Sequence, residues 1–203
     1  VTGRYPHQCV PGHEHALPAG QPTLAQVFRE HGYRTTYIGK WHLDGFHERH
    51  GRAAMHLIPE DRRGGFDEWI GYENNNSQWD CWVHGGSGAE AFHRRLPGYE
   101  TDALTDMVLE RLRRWGRDQA AGESPPFFCV LSVQPPHDPC AAPATWMQRH
   151  TPGRLELRPN VPAVPRVVEQ ARRELAGYYA MIENLDWNVG RILAALDEHK
   201  LRE

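Results

Sequence analysis

The segment TLAQVFREHGYRTTYIGKWH, residues 23–42, predicts a helix followed at once by a strand. Thr23 and Gln26 have the spacing of a capping box, which begins a helix that extends to about residue 31. Gly32 suits the left-handed residue that ends a helix. The apolar stripe of this helix is expected to consist of Leu24, Val27 and Phe28. The β-branched and aromatic residues of 33–38 then predict a strand, which ends in Gly39, Lys40, Trp41 and His42.

The same order of helix and strand recurs further along the chain. Residues 102–115 predict a second helix, which Gly116 is expected to end. Residues 127–133 form an almost continuous apolar run, typical of a strand buried on both faces in a parallel sheet. A third helix is predicted over about 167–200. The second helix presents Leu104, Val108, Leu112 and Trp115 on one face, and the third presents Tyr178, Ile182, Leu185, Val189, Ile192 and Leu196.

This alternation predicts an α/β fold, layered α/β/α around a mainly parallel central sheet. Residues 44–100 are rich in Gly, Asn, His and Trp and look irregular, although their aromatic content indicates order. No internal repeat and no second-domain boundary is visible, so residues 1–203 are interpreted as one domain. The chain opens on Val1 within a motif-like stretch and stops just after a helical pattern, so we expect the domain to be incomplete at both ends.

Composition excludes several classes of function. A net charge of −3 with neutral histidines offers no electrostatic case for nucleic acid or an anionic membrane surface as partner. No apolar run approaches the roughly 20 residues that span a bilayer. The four cysteines form no C-x-x-C pair, so a zinc knuckle is not expected, while a disulfide remains open. Cys129 lies in the apolar run and is interpreted as a buried thiol.

The two predicted strand ends point to an anion site, because ligands of such folds bind beyond the carboxyl ends of the strands. In extended backbone Lys40 and His42 would project on one face, with Trp41 turned away to pack. Gly39 would remove a side chain where the backbone approaches a neighbour. His137 follows the other strand in a loop stiffened by prolines at 135, 136 and 139. Such cations suit sulfate or phosphate, and a positioned histidine can protonate a leaving alcohol.

Other polar residues have a structural interpretation beside a functional one. His13, Glu14 and His15, with His7 nearby, could bind a transition metal, but a flexible surface loop is favoured. Asp44 and Asp138 could each orient a histidine, although a surface charge is slightly preferred. The stretch Asn74–Trp82 could line a substrate pocket through Trp79 and Trp82, or could only cover the core.

Three separated stretches resemble the sulfatase family of the alkaline phosphatase superfamily. Residues 2–7 look like the tail of the family's first signature, which begins Cys-x-Pro-Ser-Arg and runs on to Leu-Thr-Gly-Arg. Residues 32–42 are similar to the second signature almost throughout. Residues 127–137 resemble the family's strand ending in Pro-Pro-His-x-Pro. The last helix, with Tyr178, Ile182, Asp186 and Gly190, looks like the one before the family's Asp-His-Gly metal segment. Cys9-Val10-Pro11 mimics Cys-x-Pro, but Gly12-His13 follows it where Ser-Arg is expected, so Cys9 is interpreted as a loop cysteine.

The resemblance implies a sulfuric ester hydrolase acting on a sulfated sugar or aryl sulfate. It implies that Lys40 and His42 bind the sulfate group and that His137 contacts the sulfate or the leaving oxygen. The family's nucleophile is a formylglycine made from the signature cysteine, and a calcium ion polarises the sulfate oxygens. That cysteine would precede Val1 and the metal ligands would lie outside the chain, so the chain alone is expected to be inactive. Relatives usually work in the periplasm, outside the cell or in lysosomes.

Three alternatives stay open. The same cations would bind phosphate in a phosphodiesterase or phosphonate hydrolase of the same superfamily. A non-catalytic relative would bind sulfated glycans through Lys40, His42 and His137. Finally, an incomplete gene product would have no stable fold, because missing strands leave the edges of a sheet open.

Overall fold

A five-stranded sheet organises the chain, as a computed structural model shows for residues 2–122 and 125–202. The strands are β1 (Arg34–Lys40), β2 (Glu68–Tyr72), β3 (Trp82–Gly85), β4 (Phe92–Arg95) and β5 (Phe127–Ser132). They lie in the order β4-β3-β2-β1-β5. β1 pairs in parallel with β2 and β5, whereas β2–β3 and β3–β4 are antiparallel. The α/β prediction is therefore confirmed, with a sheet that is mixed.

The described helices include the three that the sequence predicts, together with two helices of four residues that it does not. The described α-helices are α1 (Pro6–Cys9), α2 (Leu24–Glu30), α3 (Glu100–Ala120), α4 (Ala144–Met147) and α5 (Pro165–Glu198). The predicted capping box is present at α2: the Gln26 N–H donates to Thr23 Oγ1, and the Thr23 N–H donates to Gln26 Oε1. Gly32 has the expected left-handed φ of 80°. None of the helices in the described ranges is long and apolar enough to cross a membrane.

Neighbouring residues of β5 show the three layers directly. Phe127 stacks on Trp115 of α3 at 4.5 Å between ring centroids. Phe128, on the opposite face of the strand, stacks on Phe28 of α2 at 4.3 Å. Since successive side chains of a strand point to opposite faces, α2 and α3 cover the two sides of the sheet. The predicted face of α3 is confirmed, because Leu104, Val108, Leu112 and Trp115 are all buried.

The strand at 127–133 exists, but its predicted burial was wrong. All six residues of β5 are only half-buried. Within residues 2–122 and 125–202, β5 pairs with β1 alone, so its other side has no partner strand. An apolar sequence allows a strand to be buried on both faces. How far the strand is buried depends on the strands and helices that pack against it.

The apolar stripes of α2 and α5 were also wrong in part. Leu24 and Val27 are almost half exposed, and the buried residue of α2 is Ala25. In α5, Tyr178, Ile182 and Val189 are exposed, although Ile192 and Leu196 do pack against the core. The buried seam of α5 consists of Ala176, Gly177, Ala180, Met181, Asn184, Asn188 and Ala195.

Polar contacts explain why α5 turns an unexpected face inward. The side-chain amides of Asn184 and Asn188 each donate to Asp102 Oδ1 of α3 at 2.8 Å. A buried amide is tolerated when its hydrogen bonds are made. Gly116 does not end α3, which continues to Ala120. A Cβ at this position would lie 2.7 Å from His199 Cβ, just after α5. This glycine lets the end of α5 pack closely against α3.

Residues 44–100 are more regular than predicted. They contain β2, β3 and β4 together with several 3₁₀ turns. These strands have only four or five residues and carry glycine, histidine or charged side chains, so their sequence lacks a clear alternation. Their pairing with β1 and with each other is what makes them strands.

Candidate anion-binding site

The carboxyl ends of β1 and β5 lie side by side and form the floor of the candidate site. Gly39 pairs in register with Ser132, and Lys40 follows as the last residue of β1. A Cβ at Gly39 would lie 2.0 Å from the Ser132 carbonyl oxygen. The prediction that Gly39 stands where the backbone approaches a neighbour is therefore confirmed, and the neighbour is β5.

The backbone leaves the extended conformation at His42, so the prediction of a strand that continues through this residue was wrong. His42 has a left-handed φ of 54°, and the two side chains are not related by extended backbone. Trp41 is buried as expected, and its ring packs edge-on against Tyr37. The backbone N–H of Trp41 donates to the Tyr72 carbonyl at 2.7 Å. The turn, rather than strand alternation, places His42.

Electrostatics nevertheless link the three predicted cations. Burial lowers the pKa of His42, and the charges of Lys40, His13 and His137 lower it further. Like charges disfavour the protonated imidazole only when they lie nearby. Lys40, His42 and His137 therefore share one electrostatic environment at the carboxyl edge of the sheet.

A buried carboxylate acts electrostatically on Lys40. Glu100, the first residue of α3, is fully buried and accepts hydrogen bonds from the Tyr72 hydroxyl at 2.5 Å and the Gln134 N–H at 3.3 Å. Burial raises the pKa of Glu100 despite these bonds and the charge of Lys40. Burial also lowers the pKa of Lys40, whereas the charges of Glu100 and Glu73 oppose that shift.

His137 is held by its own loop and by Gln78. Its Nδ1 lies 2.7 Å from the Asp138 carbonyl and 3.1 Å from Asp138 Oδ1. A carbonyl oxygen only accepts, so Nδ1 donates, and Nε2 is then the ring nitrogen that can serve a ligand. The Gln78 side-chain amide donates to the His137 carbonyl at 3.1 Å. Asp138 is exposed and also contacts the histidine, so both interpretations of this residue apply.

Asp44 is not a surface charge, and the preferred interpretation of it was wrong. Its side chain is 6% exposed, pairs with Arg62 and lies 2.6 Å from His56 Nε2. The histidine that it orients is thus His56 and not His42. Buried Glu73 holds the same turn by accepting the Asp44 N–H at 3.0 Å. Glu73 and Glu100 are the buried acids of the site, and neither stands out in the sequence.

The two candidate tryptophans lie in different surroundings. Trp79 is half-exposed and packs on Tyr99 at 5.2 Å between ring centroids, next to the Gln78 that contacts His137. The Trp82 ring packs on His93 at 5.2 Å and its Nε1 donates to Asp80 at 3.3 Å. Substrate binding by Trp79 and Trp82 stays a prediction, and the position of Trp79 favours it more.

Over residues 2–122 and 125–202, no group of three or more His, Cys, Asp and Glu side chains could hold a metal ion. All four cysteines are free thiols. Cys129 is half-buried, so the prediction of a buried thiol was wrong in degree, although partial burial still raises its pKa to about 12. Cys9 Sγ contacts the Tyr5 carbonyl at 3.6 Å within α1 and its flank.

Comparison with known proteins identifies the family. The family model for sulfatases matches residues 1–203. An ulvan-active sulfatase of Formosa agariphila is 30% identical and is aligned with 100% of this chain and 37% of its own length. The chain belongs to the sulfatase family.

Solved structures agree on the fold. A structure from work on the metabolism of glycosaminoglycans by Bacteroides thetaiotaomicron superposes with a TM-score of 0.80 at 20% identity, covering 99% of this chain and 45% of that one. A protein in complex with its substrate D-glucosamine-2-N,6-O-disulfate superposes with a TM-score of 0.66 at 17% identity, covering 98% and 51%. The chain thus spans only about a third to a half of the proteins that it matches.

Proposed function

We propose that the natural polypeptide carrying these 203 residues hydrolyses sulfate esters. The observation that carries the proposal is the parallel pairing of β1 with β5, which brings the chain that leads to Lys40 and His42 beside the chain that leads to His137, in a member of the sulfatase family. The charges of Lys40 and His137 both lower the pKa of His42, which supports this placement. Lys40 supplies a compact positive charge to the sulfate oxygens. His42 donates from the turn beyond it, and His137 Nε2 contacts the sulfate or protonates the leaving oxygen.

In this proposal residues 1–203 are one incomplete catalytic domain, inactive by itself. The formylglycine nucleophile and the calcium ion that the family resemblance implies would depend on other residues. The described residues hold no cluster that fits a metal ion, so we assign no step to it. In this proposal the chain binds and orients the anion, and His137 donates a proton to the leaving oxygen.

A sulfated glycan is the proposed substrate class. A relative is named for activity on ulvan, and a structural neighbour was solved with a disulfated glucosamine. The half-exposed Trp79 ring near His137 would offer a flat apolar face to a sugar. In agreement with the family, the proposed working place is the periplasm, the cell exterior or the lysosome.

The test is sulfate release by the natural polypeptide from sulfated oligosaccharides and from p-nitrophenyl sulfate. Lys40→Ala and His137→Ala should each lower kcat/KM about 10²- to 10⁴-fold, the range for lost electrostatic or acid catalysis. His31→Ala, an exposed position at the end of α2, is the matched control and should leave kcat/KM unchanged.

Two outcomes would replace the proposal by its alternatives. Faster hydrolysis of p-nitrophenyl phosphate or its diesters would indicate a phosphohydrolase. Binding of sulfated glycans without turnover, weakened by salt and lost in Lys40→Ala, would indicate a binder. Equal activity of the wild type and both variants would overturn the assignment of the site.

A further inference from the structure

The loop before α2 brings another histidine to the candidate site. The His13 ring centroid lies 5.7 Å from that of His42, with the two planes at 35°. His13 itself is exposed, whereas His42 is half-buried. His13 therefore lies at the solvent-exposed rim of the candidate anion site.

Several contacts fix this loop against the turn that carries His42. Glu14 Oε2 lies 2.9 Å from His47 Nε2, and the Leu17 N–H donates to the Leu43 carbonyl at 2.8 Å. A Cβ at Gly45 would lie 2.6 Å from the Ala16 nitrogen, so the two backbones are in close contact. The loop is a docked element and not the flexible segment that its composition indicates.

The backbone on both sides of the His13–His42 contact is unusual. Glu14 and His42 have φ values of 59° and 54°. Over the described residues they are two of the three non-glycine positions with positive φ, Lys200 being the third. Such conformations are uncommon for residues with a side chain and cluster at sites where the surroundings hold them in place.

Charge favours an anionic ligand at this rim. Lys40, His42, His13 and His137 bring positive or protonatable groups together. The carboxylate of Glu14 opposes these groups by raising the pKa of His42, but it also lies 2.9 Å from His47 Nε2. A second negative group of the substrate would be attracted to this rim, because it would interact favourably with several positive or protonatable groups at once.

We infer that His13 is a substrate-binding residue that contacts a second anionic group, a carboxylate or another sulfate, on the sugar that carries the scissile sulfate. This inference rests on the proposed function and narrows its substrate class to polyanionic sulfated glycans. The nearby His15 belongs to the same loop and supplies a matched control.

The experiment compares a disulfated glucosamine with p-nitrophenyl sulfate as substrates of the natural polypeptide. His13→Ala should lower kcat/KM for the disulfated sugar about 10- to 100-fold, the usual effect of losing a hydrogen bond to a charged group. Its effect on p-nitrophenyl sulfate, which has no second anion, should stay below about 3-fold. His15→Ala should behave as wild type, and His13→Gln, which keeps a donor, should retain part of the difference.

Two patterns of activity would overturn the inference. Equal losses on both substrates would show that His13 only supports the loop, and no loss on either would show that it does not touch substrate. If the wild type releases no sulfate, the proposed function fails separately, and binding of the disulfated glucosamine tests His13 by itself. Binding weakened about 10-fold by His13→Ala but not by His15→Ala supports the inference, and unchanged binding overturns it.

Discussion

Gly39→Ala tests whether the site depends on close contact between β1 and β5. The introduced Cβ would lie 2.0 Å from the Ser132 carbonyl oxygen. Contacts of real Cβ atoms are essentially never shorter than 3.0 Å, so the two strands would have to move apart. The obstacle is strand backbone, which cannot rotate away. Gly39 also has a left-handed φ of 119°.

Two costs add at this position. A left-handed conformation costs a residue with a side chain about 1–2 kcal/mol. Forcing packed backbones apart costs about 1–3 kcal/mol more. The free energy of unfolding should therefore fall by about 2–5 kcal/mol, a large part of the roughly 5–15 kcal/mol that a typical domain has. Displacing Ser132 would also move the chain that leads to His137.

Gly32→Ala separates the two costs. Gly32 has φ of 80°, but a Cβ there would meet nothing within 4 Å. It should lose only about 1–2 kcal/mol, the left-handed cost. Chemical denaturation of the natural polypeptide and both variants measures the difference, and KM for a sulfated substrate should rise only in Gly39→Ala. Equal destabilisation by the two substitutions, with equal KM values, would refute the argument that contact with β5 forms the floor of the site.

Further predictions concern helix propensity and pH. Gly190→Ala in α5, where a Cβ meets nothing within 4 Å, should raise the free energy of unfolding by about 1 kcal/mol, and a decrease in a denaturant melt would contradict it. Burial lowers the pKa of His84 to about 4, so the folded state binds fewer protons than the unfolded state. The stability it contributes is fully present above the unfolded pKa near 6.5 and should be lost as the pH falls towards 4, and His84→Gln should reduce this slope in melts at several pH values. Burial would raise the pKa of Glu68, but hydrogen bonds and charges of Arg111 and Arg114 hold it below its usual value. Its stabilisation should therefore be present above about pH 4.5 and lost as the pH falls through the lowered pKa, and an unchanged acid limb in Glu68→Gln would count against the ion pair.

Local signals were sufficient for the elements that lead into the site. The capping box of α2 and the left-handed Gly32 each depend on a few adjacent residues and their allowed backbone angles. The resemblance to sulfatases likewise rests on short stretches at strand ends. These parts of the protein were predicted from the sequence because their causes are local.

Contacts between distant segments were beyond such reasoning. Asn184 and Asn188 form the buried seam of α5 only because Asp102 of α3 accepts their hydrogen bonds. Asp44 orients His56 because two successive 3₁₀ turns, Ala53–Met55 and Glu60–Arg62, bring His56 and Arg62 to its carboxylate.

The sequence by itself determined the family, the α/β class and the cations at the ends of β1 and β5. Only the tertiary structure placed His13 beside His42 and buried Glu100 where its charge acts on Lys40. The physical reason is that a residue's chemistry is fixed by its type, whereas its burial, its pKa and its neighbours depend on which distant parts of the chain pack around it.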